Sequence, residues 1–240
     1  MPFKKKILIV SDFDGTCYDN KLYQDNINRA KEQEFESIAE FKTELGSTSE
    51  QVKNKILSIK QERNITSSQV VISILGHENW GRIRVTTNWY SLIRDQCNIN
   101  MILMALPKNC KLVIASHTCQ RLIRFALNMN NDYFHIYGSQ ELGCYKPDLN
   151  FFKRICEFEK VHPSQCIYIG DRIEYDIFPA KKSGYMGAIL TQGKVVEIIT
   201  VLSNLIRTET FSSFKSLVTK MSLESLTNLN NNYGDDNDRD

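Results

Sequence analysis

The chain has 240 residues, 42% hydrophobic and 24% charged, a globular balance that excludes a disordered, collagenous or coiled-coil protein and suffices for one large domain or a domain with an insert. Thirty Lys and Arg against 28 Asp and Glu leave a formal charge of +2, too little to predict nucleic-acid binding; with no run of roughly 20 apolar residues, no membrane span is expected. Seven Cys without a C-x-x-C pair fit neither a disulfide framework nor a zinc site, so a reduced, cytoplasmic setting is expected.

In chain order, Ile7–Val10 follows a basic stretch as a secretion signal would, but the apolar run is too short and ends in acids, so it reads as a buried strand. From Asp19 to Asn98 no strand pattern occurs; pairs such as Ile56 with Ile59 and Val70 with Ile74 have helical spacing, and acidic and basic residues balance. This segment is expected to be a helical insert, with Trp80, Trp89 and Tyr90 in its core and Arg82 and Arg84 on its surface. Leu112–Ala115 and Cys166–Ile169 are further strands, and Tyr133–Tyr137 and Gly187–Leu190 weaker candidates. Runs apolar throughout, separated by helical stretches, predict an α/β fold with a parallel sheet covered on both faces. Val195–Ile206 has amphipathic spacing, Phe211–Met221 reads as a last strand and helix, and Asn228 onward as disordered.

Each main strand runs into polar residues of a type that carries chemistry. Asp12-Phe13-Asp14-Gly15-Thr16 places two carboxylates at the C-terminal mouth of the first strand, where open α/β sheets bind ligands. Alternation along an extended chain points Asp12 and Asp14 the same way, and paired carboxylates divide labour: one stays ionised as a nucleophile while the other is pushed towards the protonated form. The second strand ends in Ser116-His117-Thr118, and Lys146-Pro147-Asp148 opens a helix at about Leu149. The fourth ends in Gly170-Asp171, with Asp176 five residues on, and acids gathered at one edge suggest a hard cation.

Strand then D-F-D-G-T, strand then Ser116, Lys146-Pro147-Asp148 and G-D-x-x-x-x-D, in that order and spacing, resemble the haloacid dehalogenase-like superfamily of phosphotransferases. The resemblance extends to Asp19, Asn20, Gly184 and Ser212–Leu217 and leaves the insert unmatched. It implies a Rossmann-like three-layer core over residues 1–17 and 100–222, an all-helical cap over 18–99 and a disordered tail over 223–240. It also implies Asp12 as the nucleophile that becomes an aspartyl-phosphate, and Asp14 as the acid that protonates the leaving group and then activates water. Ser116 and Lys146 would hold the phosphoryl oxygens, with Gly15, Thr16 and His117 completing the phosphate-binding set. Mg²⁺ would sit among Asp12, the Asp14 backbone carbonyl and Asp171, with Asp176 in its outer shell or orienting Lys146. An acid at position 14 favours phosphate-ester chemistry over dehalogenation. Departures from the family pattern are Cys17, expected to be a structural thiol, His117 for a common Asn and Leu149 for a common Pro. The expected activity is Mg²⁺-dependent hydrolysis of a small-molecule phosphate monoester; a phosphomutase acting on a sugar phosphate and a non-catalytic binder are the alternatives.

Overall fold

The computed structural model of the chain describes residues 6–18, 24–87, 106, 109–118, 120–127, 135–191 and 200. Five strands, β1 (Ile7–Ser11), β2 (Cys110–Ser116), β3 (His135–Gly138), β4 (Cys166–Gly170) and β5 (Gly187–Leu190), form one parallel sheet in the order β3-β2-β1-β4-β5. The order reverses direction at β1, which pairs Ile9 with Leu112 on one side and with Ile167 on the other. That switch point brings the C-terminal ends of β1, β2 and β4 together, the place where α/β sheets open a crevice. Residues alternating along β1 are buried on both faces, as the all-apolar run predicts.

The helix Leu149–Glu159 begins where expected, capped by the Asp148 carboxylate, which accepts from Asn150 N–H at 2.9 Å. Its Phe151, Phe152 and Ile155 pack under Leu8, Val10, Val113 and Tyr168, with the Phe152 and Tyr168 rings edge to face at 5.1 Å. Two short helices complete the described part of this region, Ser139–Leu142 and Phe178–Lys182, the latter following directly on a π-helical turn over Ile173–Ile177. Val195–Ile206 apart from residue 200, Phe211–Met221, the expected tail over 223–240, Trp89 and Tyr90 lie outside the described residues.

Contacts divide the chain into two units: Met1–Asp19 with Cys97–Ser116 and Asn131–Asp240, which holds the sheet, and Asn20–Gln96 with His117–Asn130. In chain order the second unit contains helices α1 (Gln24–Ala39), α2 (Ser49–Arg63), α3 (Ser67–Thr86) and α4 (Gln120–Ala126), with the helices of the sheet unit following as α5 (Ser139–Leu142), α6 (Leu149–Glu159) and α7 (Phe178–Lys182). Thr48 and Thr66 cap α2 and α3 through their side-chain oxygens, and Gln69 closes a capping box with Thr66. Val52, Ile56, Ile59, Val70 and Trp80 are buried there, as their spacing predicts, while Ile74 is half-buried. Arg82 is exposed beside Glu78. Arg84 corrects the expectation of a surface residue: one helical turn after Trp80, it points inward, donating to Glu34 at 3.2 Å with its guanidinium 5.3 Å from the Trp80 ring centre. Trp80 Nε1–H donates to the other oxygen of the same carboxylate, so Glu34 answers both polar tips of the pair. No helix among the described residues is long and apolar enough to cross a membrane.

At the other end of the sheet from the crevice, Glu159 closes α6 with its carboxylate 3% exposed. Lys111 from β2 donates to it at 2.7 Å, Tyr137 from β3 at 3.0 Å, and His135 Nδ1 is in contact with the same carboxylate. Burial pushes this carboxyl up, but the donors outweigh it and hold it below the ordinary glutamate range. A depressed folded-state pKa means stabilisation that is present above the unfolded value and lost as pH falls through the folded one. Glu159→Gln is therefore expected to cost about 2 kcal/mol at pH 7 and far less at pH 3, read by urea unfolding at the two pH values. An equal cost at both would show that the charge contributes nothing.

Candidate active site

β1 ends where the chemistry begins. Asp12 N–H donates to Ile169 O at 2.8 Å, tying the residue to β4, and the chain then turns: Thr16 N–H and Cys17 N–H both donate to Phe13 O. Gly15 takes φ +77°, a left-handed conformation that glycine adopts without steric cost. The carboxylates of Asp12 and Asp14, on either side of Phe13, have different partners. Ser11 Oγ at 2.8 Å and Cys17 Sγ at 3.2 Å donate to the Asp12 carbonyl, so Cys17, fully buried, is the structural thiol expected. Thr16 is also fully buried, which leaves it the turn itself to shape.

Asp12 faces a buried ionic cluster. Lys146 Nζ lies 2.9 Å from Asp12 Oδ1 and 2.6 Å from Asp176 Oδ1, with all three side chains at most 6% exposed. The Lys146–Pro147 peptide bond is cis. Asp176 is carried by the π-helical turn, and its second oxygen accepts from Arg172 N–H at 3.1 Å. Burial pushes the Asp12 carboxyl up and Lys146 pulls it down; Asp176, Asp171 and Asp14 add to the upward push, and the net result is well above the usual range. For Asp171, burial and Asp176 raise the carboxyl to about 7 against the pull of Lys146 and Arg172. Burial draws Lys146 down, but Asp12 and Asp176 outweigh it and the ammonium is held charged.

Asp12, Asp171 and Asp176 each bring a carboxylate oxygen within 4.8 Å of the others. Asp171 Oδ1 is buried with no hydrogen-bond partner among the described residues, the state in which a hard cation would find it. Three ionised carboxylates and one ammonium in a buried space are two positive charges short of balance, so these donors fit a divalent cation. Both Asp176 oxygens already accept hydrogen bonds, which assigns that residue to holding Lys146 and leaves Asp12 and Asp171 as side-chain donors. The Asp14 carboxylate adds to the charge around Asp12 and has hydrogen-bond partners of its own. Its Oδ1 accepts from Tyr18 OH at 2.8 Å and its Oδ2 from Ser116 Oγ at 3.2 Å. His117, half-buried, directly follows Ser116 and groups by its contacts with the helical unit.

Four residues here escaped the sequence reading. Tyr18 was passed over as the residue after Cys17, although it stands four positions after Asp14 across a Gly turn. Gly170, the last residue of β4, leaves no room for a side chain: a Cβ there would stand 2.5 Å from Asp176 Cβ and Cγ. Tyr168 forms the floor, fully buried, with its ring centre 5.9 Å from Lys146 Nζ and its hydroxyl donating to Ala115 O at 3.4 Å; a polar-tipped ring in the run Cys166–Ile169 was the available signal. Arg172, exposed, stacks its guanidinium 3.8 Å from the centre of the Tyr175 ring.

Comparison with known proteins agrees with this geometry. The sequence matches the haloacid dehalogenase-like hydrolase family over residues 8–184. A glyceraldehyde 3-phosphate phosphatase of Methanocaldococcus jannaschii is 33% identical over 75 residues, 31% of this chain and 32% of that protein. The protein of the same name from Methanopyrus kandleri is 30% identical over 76 residues, 31% of each. The matched stretch is thus about a third of the length of these curated relatives. A solved HAD phosphatase from Thermococcus onnurineus superposes with TM-score 0.48 at 17% identity over 77% of this chain and 85% of that one. A β-phosphoglucomutase from Clostridium difficile gives 0.49 at 15% identity over 90% and 98%. With the family's match running from β1 through the loop after α7 and so enclosing every residue of the carboxylate and lysine cluster, the chain belongs to the haloacid dehalogenase-like hydrolases.

Proposed function

We propose that the chain is a Mg²⁺-dependent phosphatase that hydrolyses a small phosphate monoester through an aspartyl-phosphate on Asp12. The observation that carries this reading is the division between the two carboxylates: Asp12 sits against a buried ammonium 2.9 Å away, while Asp14 is held by two hydroxyls. An anionic phosphoryl group needs positive charge beside its attacking carboxylate, and Lys146 supplies it. Asp14, two residues on, serves the proton. It donates to the leaving alcohol as Asp12 bonds to phosphorus, then accepts a proton from the water that displaces Asp12. The Ser116 hydroxyl, now on Asp14, is in reach of a phosphoryl oxygen on the same side. The turn at Gly15 brings backbone to the same edge of the sheet, and His117 lies next to Ser116 in sequence. A Mg²⁺ held by Asp12, Asp171 and the Asp14 carbonyl would offset charge on the phosphoryl oxygens. In this reading residues 18–99 are the family's helical cap and select the substrate, and 1–17 with 100–222 form the core. The names of the two curated relatives make phosphorylated three-carbon aldehydes the first compounds to try.

Purified protein is expected to release phosphate from a panel of phosphate esters with Mg²⁺ and to stop when EDTA is added. Asp12→Asn is expected to abolish turnover, by about 10⁴-fold or more, with the fold intact by circular dichroism. Turnover that survives EDTA or Asp12→Asn overturns the mechanism; phosphate retained on Asp12 and passed to a sugar, rather than released, identifies a mutase.

Gly170→Ala tests the support of Lys146. The added methyl must displace Asp176, so a loss of about 2 kcal/mol in urea unfolding and at least about tenfold in kcat is expected. Full activity in this variant would remove Asp176 from the machinery.

A further inference from the structure

The geometry points to Tyr18 as a positioning residue that fixes which oxygen of Asp14 handles the proton, an inference that rests on the phosphatase reading above. A carboxylate torsion is broad and two-fold, so a lone aspartate exchanges its oxygens freely. Asp14 is anchored on one of them. The Tyr18 phenol donates to Oδ1 at 2.8 Å, and the Tyr18 side chain has little freedom of its own: the residue is 2% exposed and its ring meets the buried Phe13 ring edge to face at 5.8 Å. The backbone between the two rings is closed by the hydrogen bonds from Thr16 N–H and Cys17 N–H to Phe13 O, so phenol and carboxylate are set by the same turn. Oδ2 is thereby left on the side of Ser116, whose hydroxyl donates to it at 3.2 Å.

The consequence for the chemistry is specific. When Ser116 transfers its hydrogen bond to a phosphoryl oxygen, Oδ2 is the oxygen that meets the leaving group. In the first step the Asp12 oxygen bonds to phosphorus, the bond from phosphorus to the alcohol oxygen breaks, and the proton on Asp14 Oδ2 passes to that oxygen. In the second, water bonds to phosphorus, the bond to Asp12 breaks, and Oδ2 takes the water's proton. Tyr18 keeps its own proton throughout and acts through Asp14. A rotation of Asp14 that left the acidic oxygen even 1 Å out of line would slow proton transfer about 100-fold.

The test uses Tyr18→Phe, which keeps the ring against Phe13 and removes one hydroxyl. kcat/KM is measured on glycerol phosphate, phenyl phosphate and 4-nitrophenyl phosphate with Mg²⁺, a series in which the leaving group needs its proton progressively less. The expected result is a loss of about 10- to 100-fold on glycerol phosphate and under about threefold on 4-nitrophenyl phosphate, with KM little changed. In an Asp14→Asn background the same substitution is expected to cost nothing further, because the group it acts through is gone. An equal loss on all three esters, or no loss on any, overturns the inference while leaving the phosphatase reading standing. No turnover of any ester by the wild-type chain overturns both.

Discussion

Burying Lys146 is the constraint on which the site depends. An ammonium 4% exposed is tolerable only when paired and hydrogen-bonded, and here its partners are Asp12 at the end of β1 and Asp176 on the turn after β4. Each partner has its own requirement. Asp176 reaches the lysine because Gly170 has no side chain to obstruct it and because the π-helical turn, in which Ile177 N–H donates to Arg172 O at 3.3 Å, carries it there. A π turn at such a point is the usual association of that irregular geometry with functional sites. Asp12 is tied by its own N–H to Ile169, so strands β1 and β4 hold the two carboxylates at a fixed separation, with the lysine between them and Tyr168 beneath.

The same cluster is electrostatically incomplete. Asp12, Asp171 and Asp176 outnumber Lys146, and the upward pushes on Asp12 and Asp171 express that excess. A cation relieves it, and a phosphate arriving without one would meet net negative charge. Asp14 adds to that excess while its own oxygens accept from two neutral hydroxyls, Tyr18 and Ser116. Two carboxylates separated by one residue thus have different partners, an ammonium for Asp12 and two hydroxyls for Asp14, the division on which the proposed roles rest.

What the sequence made legible was whatever depends on period and order. The runs at Ile7, Leu112, Cys166 and Gly187 became strands because buried parallel strands are apolar on both faces, and the helix at Leu149 began on its cap. Asp12, Lys146 and Asp171 came together because each follows a strand end or opens a helix at one edge of the sheet. Direction of side chains was less legible. Arg84 reads as a surface residue because its charge outweighs the helical spacing that puts it beside Trp80. The roles of Gly170 and Tyr18 are properties of close approach between residues, a 2.5 Å clash avoided and a 2.8 Å bond made, and no period reports those.

The placement of β1 also shapes how the molecule is made. The strand at the centre of the sheet is the first to leave the ribosome, yet Ile7 pairs with Cys110 and Leu8 with Cys166. Ile7–Val10 therefore waits, apolar on both faces, until the helical segment and two later strands have been synthesised. Closing such long loops costs entropy before any sheet contact repays it, which places this fold among slow, topology-limited folders. The strand that leads into Asp12 is thus exposed to wrong partners until β2 and β4 are made, and the need to shield it during synthesis acts on residues beside the carboxylate and lysine cluster.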